Sequence, residues 1–405
     1  MKTPFHVMAK PVGAVCNLDC RYCYYLEKES MYPASGSMRM TPDVLETYIR
    51  SYIENHPEGD VHFAWQGGEP TLMGLDFFQS ALTLQQRYAG GRSVFNAIQT
   101  NGTLLDDTWC EFFSRHNMLV GISVDGPRAL HDVYRRDKRG RATFDDVMRG
   151  LGFLKKHGVS FNTLTVVHRA NSGHPEDVYS FLTSIGSTFL QFIPLVERKP
   201  GPVQASSGLH FHPPPFPAQA EADVEVSDFS VEPETYGKFL VAVFEQWRRR
   251  DVGRIFVQLI DVALANHMGL GSGMCVFSET CGRALALEHN GDVYSCDHYV
   301  YPEYRLGNLM HHALGDMVAS PEQIRFGNAK RDTLPRYCLE CEVLDLCRGE
   351  CPKHRFTKTP DGEPGLNYLC RGYRMFFNHL RPHLIQMERV IRGMVSRSDL
   401  NARAK

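Results

Sequence analysis

Short apolar runs rich in β-branched and aromatic residues alternate along the first half of the chain with longer stretches whose apolar positions recur at helical spacing. This is the pattern of successive βα units sharing one parallel sheet. Strands are predicted over residues 61–66, 95–100, 119–124, 160–167 and 189–196, with a first strand before Cys16. After Met40, Thr41 can act as an N-cap and Pro42 as the first helical residue, and Val44, Leu45, Tyr48, Ile49, Tyr52 and Ile53 then form one stripe. Further helices are predicted over about 75–88, 106–116, 143–157 and 174–185. About six such units form an α/β fold, a partial (β/α)6 TIM-like barrel whose strand ends gather on one rim. Three strand ends there combine glycine with hydrogen-bonding side chains: QGGEP (66–70), QTNG (99–102) and SVDGP (123–127). Turn chemistry alone explains one such end better than three.

Farther along, residues 198–231 turn to Pro, Gly, Ser and Ala with little periodicity, reading as a long loop or insertion at the end of a first unit, 1–232. A helical segment, 233–270, connects it to a cysteine-dense region, 271–372, and a last amphipathic helix occupies 373–405.

At 405 residues the chain has room for two or three domains of roughly 150 residues each. Its 44 Lys plus Arg against 46 Asp plus Glu give no basic excess, so nucleic acid is not the expected partner. Apolar runs fall short of the ~20 residues of a membrane span, and the first residues lack the apolar core of a secretory signal, so a soluble cytoplasmic protein is expected. Twelve cysteines then need explaining, because disulfides are rare in that compartment. Eleven fall in two groups, one toward each end, which points to metal rather than to scattered structural thiols. The twelfth, Cys110, sits beside Trp109, Phe112 and Phe113 in a helix, where a buried free thiol is expected.

Cys16, Cys20 and Cys23 form C-x3-C-x2-C just after the first strand. A structural zinc site closes with four protein ligands, whereas a [4Fe-4S] cube on three thiolates keeps one iron open to a substrate or cofactor. A zinc loop borrowing a distant histidine is the alternative. With Tyr22 and Tyr24 flanking the last cysteine and Gly67, Gly68, Glu69 and Pro70 at a strand end, the chain resembles the radical S-adenosylmethionine superfamily. The resemblance implies that the open iron chelates S-adenosylmethionine, whose one-electron cleavage yields a hydrogen-abstracting 5′-deoxyadenosyl radical. It also implies cofactor contacts from Tyr22, Tyr24, Gln66, Gly67, Gly68, Glu69 and Ser123, with Glu69 near the methionine amino group.

The later group reads Cys275, Cys281 and Cys296, then Cys338, Cys341, Cys347 and Cys351, then Cys370, enough for two closed sets of four. Spacing alone leaves iron-sulfur and zinc both open. With Gly291 between Cys281 and Cys296, the region resembles the SPASM auxiliary-cluster domain. That resemblance implies one [4Fe-4S] cluster on Cys275, Cys281, Cys296 and Cys351 and another on Cys338, Cys341, Cys347 and Cys370, three clusters in all. Spacing by itself does not fix this partition.

The runs NGDVYSCDHYVYPEYRLGN (290–308), QTNG and LCRGECPKHRF (346–356) narrow the resemblance to the anaerobic sulfatase-maturating enzymes. These oxidise a Cys or Ser in a C/S-x-P-x-R-type motif of a sulfatase to Cα-formylglycine. The resemblance implies Asp297 as the catalytic base, with Tyr25, Gln99, Thr100 and Asn101 holding the peptide. It further implies an external electron donor such as flavodoxin or ferredoxin, and no membrane. Three other readings stay open: a radical maturase forming thioether or carbon-carbon crosslinks in a ribosomal peptide, a zinc scaffold, and a simple electron carrier.

Overall fold

The computed structural model describes residues 4–32, 37–201, 211–215 and 225–403, with side chains described as far as residue 393. Six strands lie side by side in chain order, each parallel to the next: β1 (His6–Lys10), β2 (Val61–Trp65), β3 (Val94–Thr100), β4 (Leu119–Ser123), β5 (Phe161–Val167) and β6 (Phe189–Pro194). Helices Pro42–Asn55, Leu75–Tyr88, Asp107–Arg115, Phe144–Lys156 and Pro175–Ser184 return the chain between them, and this is the partial barrel expected from the alternation. Thr41 caps the first helix, its side chain accepting from the Val44 N–H, and Asp106 does the same for Trp109. The stripe Val44, Leu45, Tyr48, Ile49, Tyr52 and Ile53 is fully buried against the sheet.

The sheet does not stop at the first unit. Beyond β6 it gains β7 (Phe256–Val257), and on the free edge of β1 it gains β8 (Ala284–Glu288), parallel, then β9 (Asp292–Tyr294) and β10 (Arg305–Asn308), antiparallel. Residues 271–372 are therefore joined to the barrel through one ten-stranded sheet. An unpaired β1 edge would leave a row of backbone groups unsatisfied, and β8 covers it. That pairing brings Cys296, just past β9, toward the loop after β1.

The 198–231 stretch is described in part, and residues 202–210 and 216–224 lie outside the described residues. Its described pieces pack down: Arg198 bridges Val226, the Phe211 N–H donates to Glu27 (3.2 Å), and the Tyr299 hydroxyl donates to the Pro215 carbonyl (3.3 Å). Helix Pro233–Arg250 follows, then Gln258–His267. The last helix begins at Cys370 rather than 373 and runs to Arg403, so that cysteine is its first residue.

Candidate active site

β1 ends at Lys10, and the chain turns through 11–15 into the loop of Cys16, Cys20 and Cys23. That loop is pinned by Asp19 N–H to the Arg136 carbonyl (2.8 Å), Arg21 N–H to Tyr134 (3.1 Å) and Cys23 N–H to Cys20 (2.9 Å). All three thiols are free, and burial pushes Cys16 and Cys20 up to about 12 and Cys23 upward as well. They become ligands only against positive charge, which a bound metal supplies on displacing the protons. The buried Arg135 guanidinium is a fixed cation beside them and opposes that rise at Cys20 and Cys23.

The glycines of QGGEP are where two backbones nearly touch. Gly67 adopts φ 124°, and a Cβ on Gly68 would stand 2.0 Å from the Val15 carbonyl oxygen. The Gly68 N–H donates to Gly13 (2.8 Å) and the Glu69 N–H to Val15 (2.9 Å), locking this strand end onto the cysteine loop. Gln66 adds a buried Oε1 with no hydrogen-bond partner, an acceptor free for a bound donor.

Glu69 is completely buried and its oxygens already accept from Thr71 N–H (3.1 Å), Thr71 Oγ1 (2.6 Å), Thr100 Oγ1 (2.7 Å) and Asn101 N–H (2.8 Å). Burial nevertheless raises its pKa, the hydrogen bonds opposing. In this structure its carboxylate braces the strand ends.

The QTNG side chains point to the same brace rather than lying open to a peptide. Thr100 and Asn101 are buried, and the Asn101 amide donates to Asn17 Oδ1 (2.9 Å) while its Oδ1 accepts from Thr103. Gln99 donates to Ser123 (3.0 Å), pairing the ends of β3 and β4. Tyr25 is likewise buried, its hydroxyl donating to the buried Glu288. Tyr22 is turned inward too, donating to Asp125 (2.5 Å) and accepting from Arg135 (2.9 Å). These phenols and amides anchor the loop from within, because strand-end side chains facing the barrel interior meet one another before they meet a ligand.

The eight later thiols separate into two groups. Cys275, Cys281, Cys296 and Cys351 lie close enough that Cys275, Cys281 and Cys351 all push the Cys296 thiol up, behind the larger effect of burial. Cys338, Cys341, Cys347 and Cys370 line one cavity together with Gly349. Buried cations mark both. Lys330 donates to the Val276 (2.9 Å) and Ser278 carbonyls; burial pulls its pKa down to about 8, with the Cys281, Cys351 and Cys275 thiols opposing. Arg355, fully buried, donates to the carbonyls of Gly349 (2.8 Å), Lys330 (2.5 Å) and Arg348 (3.0 Å). Burial lowers its pKa, and Cys338, Cys351, the buried Glu350 and Cys347 oppose. Neither cation has a carboxylate ion pair among the described residues. A buried cation without a direct ion pair is costly, and thiolate-ligated clusters of net negative charge would add counter-charge beside Lys330 and, together with Glu350, beside Arg355. The residues present thus fit three cysteine-held clusters.

Asp297 follows Cys296 and sits where the two halves meet. Its Oδ2 accepts from the Tyr24 hydroxyl (2.7 Å), and Lys10 Nζ is ion-paired with Oδ1. Burial pushes this carboxyl upward, but Lys10 and the Tyr24 bond oppose it and the pKa lies below the usual range. His298 is kept neutral, burial first and Lys353 second pulling it down to about 3. Its Nδ1 lies 3.9 Å from the Cys351 sulfur. Lys353, paired with the buried Glu197, stands 4.8 Å from the centre of the Tyr24 ring.

Lys10, Asp125, Arg135, Lys330 and Arg355 are the site residues that motif reading passed over. Asp125 was inside the SVDGP strand end and Arg355 inside the LCRGECPKHRF run, so both had a signal. Lys10, Arg135 and Lys330 had none, since each is one charge in an ordinary element until tertiary structure buries it.

Comparison with known proteins agrees with this geometry. The radical SAM superfamily profile matches residues 11–182, and that of an iron-sulfur cluster-binding domain matches 275–342. The chain is 47% identical to a serine-type anaerobic sulfatase-maturating enzyme of Bacteroides thetaiotaomicron, over 95% of this chain and 92% of that one. It is 32% identical to a cysteine-type anaerobic sulfatase-maturating enzyme of Clostridium perfringens, over 95% and 98%. The solved structure of native anSMEcpe with bound AdoMet and Cp18Cys peptide superposes with a TM-score of 0.81 at 31% identity, covering 95% of this chain and 99% of that one.

Proposed function

Because the chain belongs to the anaerobic sulfatase-maturating enzymes of the radical S-adenosylmethionine superfamily, we propose that the residue it oxidises to Cα-formylglycine is a serine, in an S-x-P-x-R-type motif of a sulfatase. It is a radical oxidoreductase of that family, acting on a Cys or Ser of a polypeptide with S-adenosylmethionine and three [4Fe-4S] clusters. Serine is favoured by likeness, 47% to the serine-type relative against 32% to the cysteine-type one.

One observation carries the reading of the site: Tyr24, next to Cys23, is hydrogen-bonded to Asp297, next to Cys296. A single 2.7 Å contact thus joins the loop of the first cysteine set to the first auxiliary set, with a carboxylate between them. Cys16, Cys20 and Cys23 would hold the first cluster. Cys275, Cys281, Cys296 and Cys351 would hold the second, and Cys338, Cys341, Cys347 and Cys370 the third. Gln66, Gly67 and Gly68 would border the cofactor. When bound, cluster and cofactor supply the one-electron chemistry that takes a hydrogen atom from an unactivated carbon.

Asp297 would accept the proton of the substrate hydroxyl or thiol at Oδ1 or Oδ2. Lys10 keeps it ionised despite burial, and Tyr24 fixes its orientation. Serine gives up two protons and two electrons in all, one hydrogen atom from carbon plus the proton to Asp297 and one further electron. Lys330 and Arg355 would stabilise negative charge at the auxiliary sets as that electron arrives. A flavodoxin- or ferredoxin-type protein would serve as the external electron donor. No helix among the described residues is long and apolar enough to cross a membrane. The proposed location is the cytoplasm.

The test is anaerobic turnover of paired peptides, S-x-P-x-R and C-x-P-x-R, by reduced holoenzyme, read by mass spectrometry. The serine peptide is expected to lose two hydrogens with a kcat/KM at least about tenfold above that of the cysteine peptide. Preference for cysteine would overturn the serine assignment, and a crosslinked product would overturn the reaction.

A further inference from the structure

Away from the cysteine sets, Glu245, His379 and His383 converge, one ligand atom of each lying within 4.8 Å of the others. Glu245 belongs to the Pro233–Arg250 helix, and the two histidines stand one turn apart on the Cys370–Arg403 helix. An i, i+4 spacing puts both imidazoles on one face. These two helices run side by side in the same direction. Near their starts Gly237 meets Gly372 so closely that a Cβ on Gly237 would be 2.7 Å from the Gly372 Cα. Two turns on, His379 Nε2 meets Glu245 Oε1 at 3.0 Å. The Phe244 ring packs against both imidazoles, with centroids 5.8 Å from His379 and 5.1 Å from His383, which restrains how they turn. Pro382, between them, fixes one backbone angle of the turn that sets their spacing.

We propose that Glu245, His379 and His383 bind a divalent transition-metal ion, Zn2+ by preference, that clips these two helices together. Two imidazole nitrogens and one carboxylate oxygen are a donor set that suits zinc, leaving a fourth position to water. Glu245 at present accepts from Arg248 and His379. Its present partners can withdraw. Arg248 at 2.7 Å and Arg249 at 3.4 Å both reach solvent, with side chains 38% and 69% exposed, and the ion would replace the His379 hydrogen bond. The three ligands are partly exposed, so the ion has access without unfolding. The same helix opens with Cys370, so the clip restrains the element that carries one thiol of the second auxiliary set. No redox step is involved, and the ion only exchanges water for three protein ligands.

The experiment is equilibrium dialysis of iron-replete holoenzyme against Zn2+, with zinc and iron both counted, for the parent, Glu245→Gln, His379→Gln and His383→Gln. Each variant keeps size and polarity, and any one that folds poorly is replaced by the other two. The parent is expected to take up one zinc per chain with its iron unchanged, and each substitution to weaken that binding by at least about tenfold. Zinc should also slow hydrogen exchange along both helices in the parent only. Equal uptake by parent and variants, uptake matched by iron loss, or no uptake by the parent would each overturn the proposal. None of these readouts depends on formylglycine formation.

Discussion

Lys10 at the end of β1 forms an ion pair with Asp297 in the turn after Cys296, and both side chains are largely shielded from water, 2% and 16% exposed. Lys10 Nζ also stands 4.1 Å from the centre of the Tyr25 ring. The register of β8 on β1 makes this possible: Lys10 lies opposite Glu288, β9 runs back antiparallel beside β8 with Tyr294 opposite Ala286, and Asp297 follows three residues later. A strand from one end of the chain thereby sets the charge of a carboxylate near the other.

Replacing Lys10 by Met leaves that carboxylate buried and unopposed, with a cost of roughly 3 kcal/mol. Adding Asp297→Asn should return most of the stability and none of the activity. The direction with pH follows from the depressed carboxyl. Its contribution is full above the unfolded value of 3.8 and is lost as pH falls. Without Lys10 the acid limb of the pH–rate profile should move to higher pH. Denaturant melts of both variants and a pH–rate series check this, and an unmoved acid limb in Lys10→Met would mean that Lys10 does not govern Asp297.

Gly68→Ala puts a Cβ against the Val15 carbonyl, a backbone atom that cannot swing aside. S-adenosylmethionine affinity should fall by at least about tenfold, since the loop and strand end can no longer close on each other. Glu69→Gln offers an NH2 where the chain already presents four donors, and is expected to cost about 2–3 kcal/mol. Equilibrium binding of the cofactor and thermal melts separate the two effects.

The partition of the auxiliary cysteines is tested by counting iron in double variants. Cys281→Ala with Cys296→Ala, in one group, should remove about four irons, while Cys281→Ala with Cys347→Ala, across groups, should remove about eight. Cys110→Ala, at a fully buried thiol in the Asp107–Arg115 helix, should leave iron unchanged. Equal losses in the two double variants would show that the eight thiols do not divide this way.

Asp261, in the Gln258–His267 helix, has a buried Oδ2 with no hydrogen-bond partner, and burial pushes its pKa from 3.8 to about 6. The folded state therefore binds this proton more readily than the unfolded one, and stability is lost as pH rises from about 4 to 6, the reverse of an ion-paired carboxylate. Asp261→Asn should stabilise the protein at pH 7.5 by roughly 1–2 kcal/mol, allowing for the water that reaches the rest of the side chain, and by little at pH 4. Urea melts at the two pH values read it directly.

The amino-acid sequence by itself determined the barrel units, the helix cap at Thr41, and the two cysteine groups. Each of these is written in a contiguous window, as a period, a cap residue or a ligand interval. Tertiary structure decided which way the strand-end residues face. Thr100, Asn101, Tyr22 and Tyr25 have the chemistry of ligand contacts, but closure of the barrel turns them onto Glu69, Asn17, Asp125 and Glu288. It also decided that β8 covers the β1 edge and that Lys10, Lys330 and Arg355 become buried charges beside a carboxylate or thiols. A charge acquires such a role only when burial removes water and a partner distant along the chain takes its place, and no local pattern records that exchange.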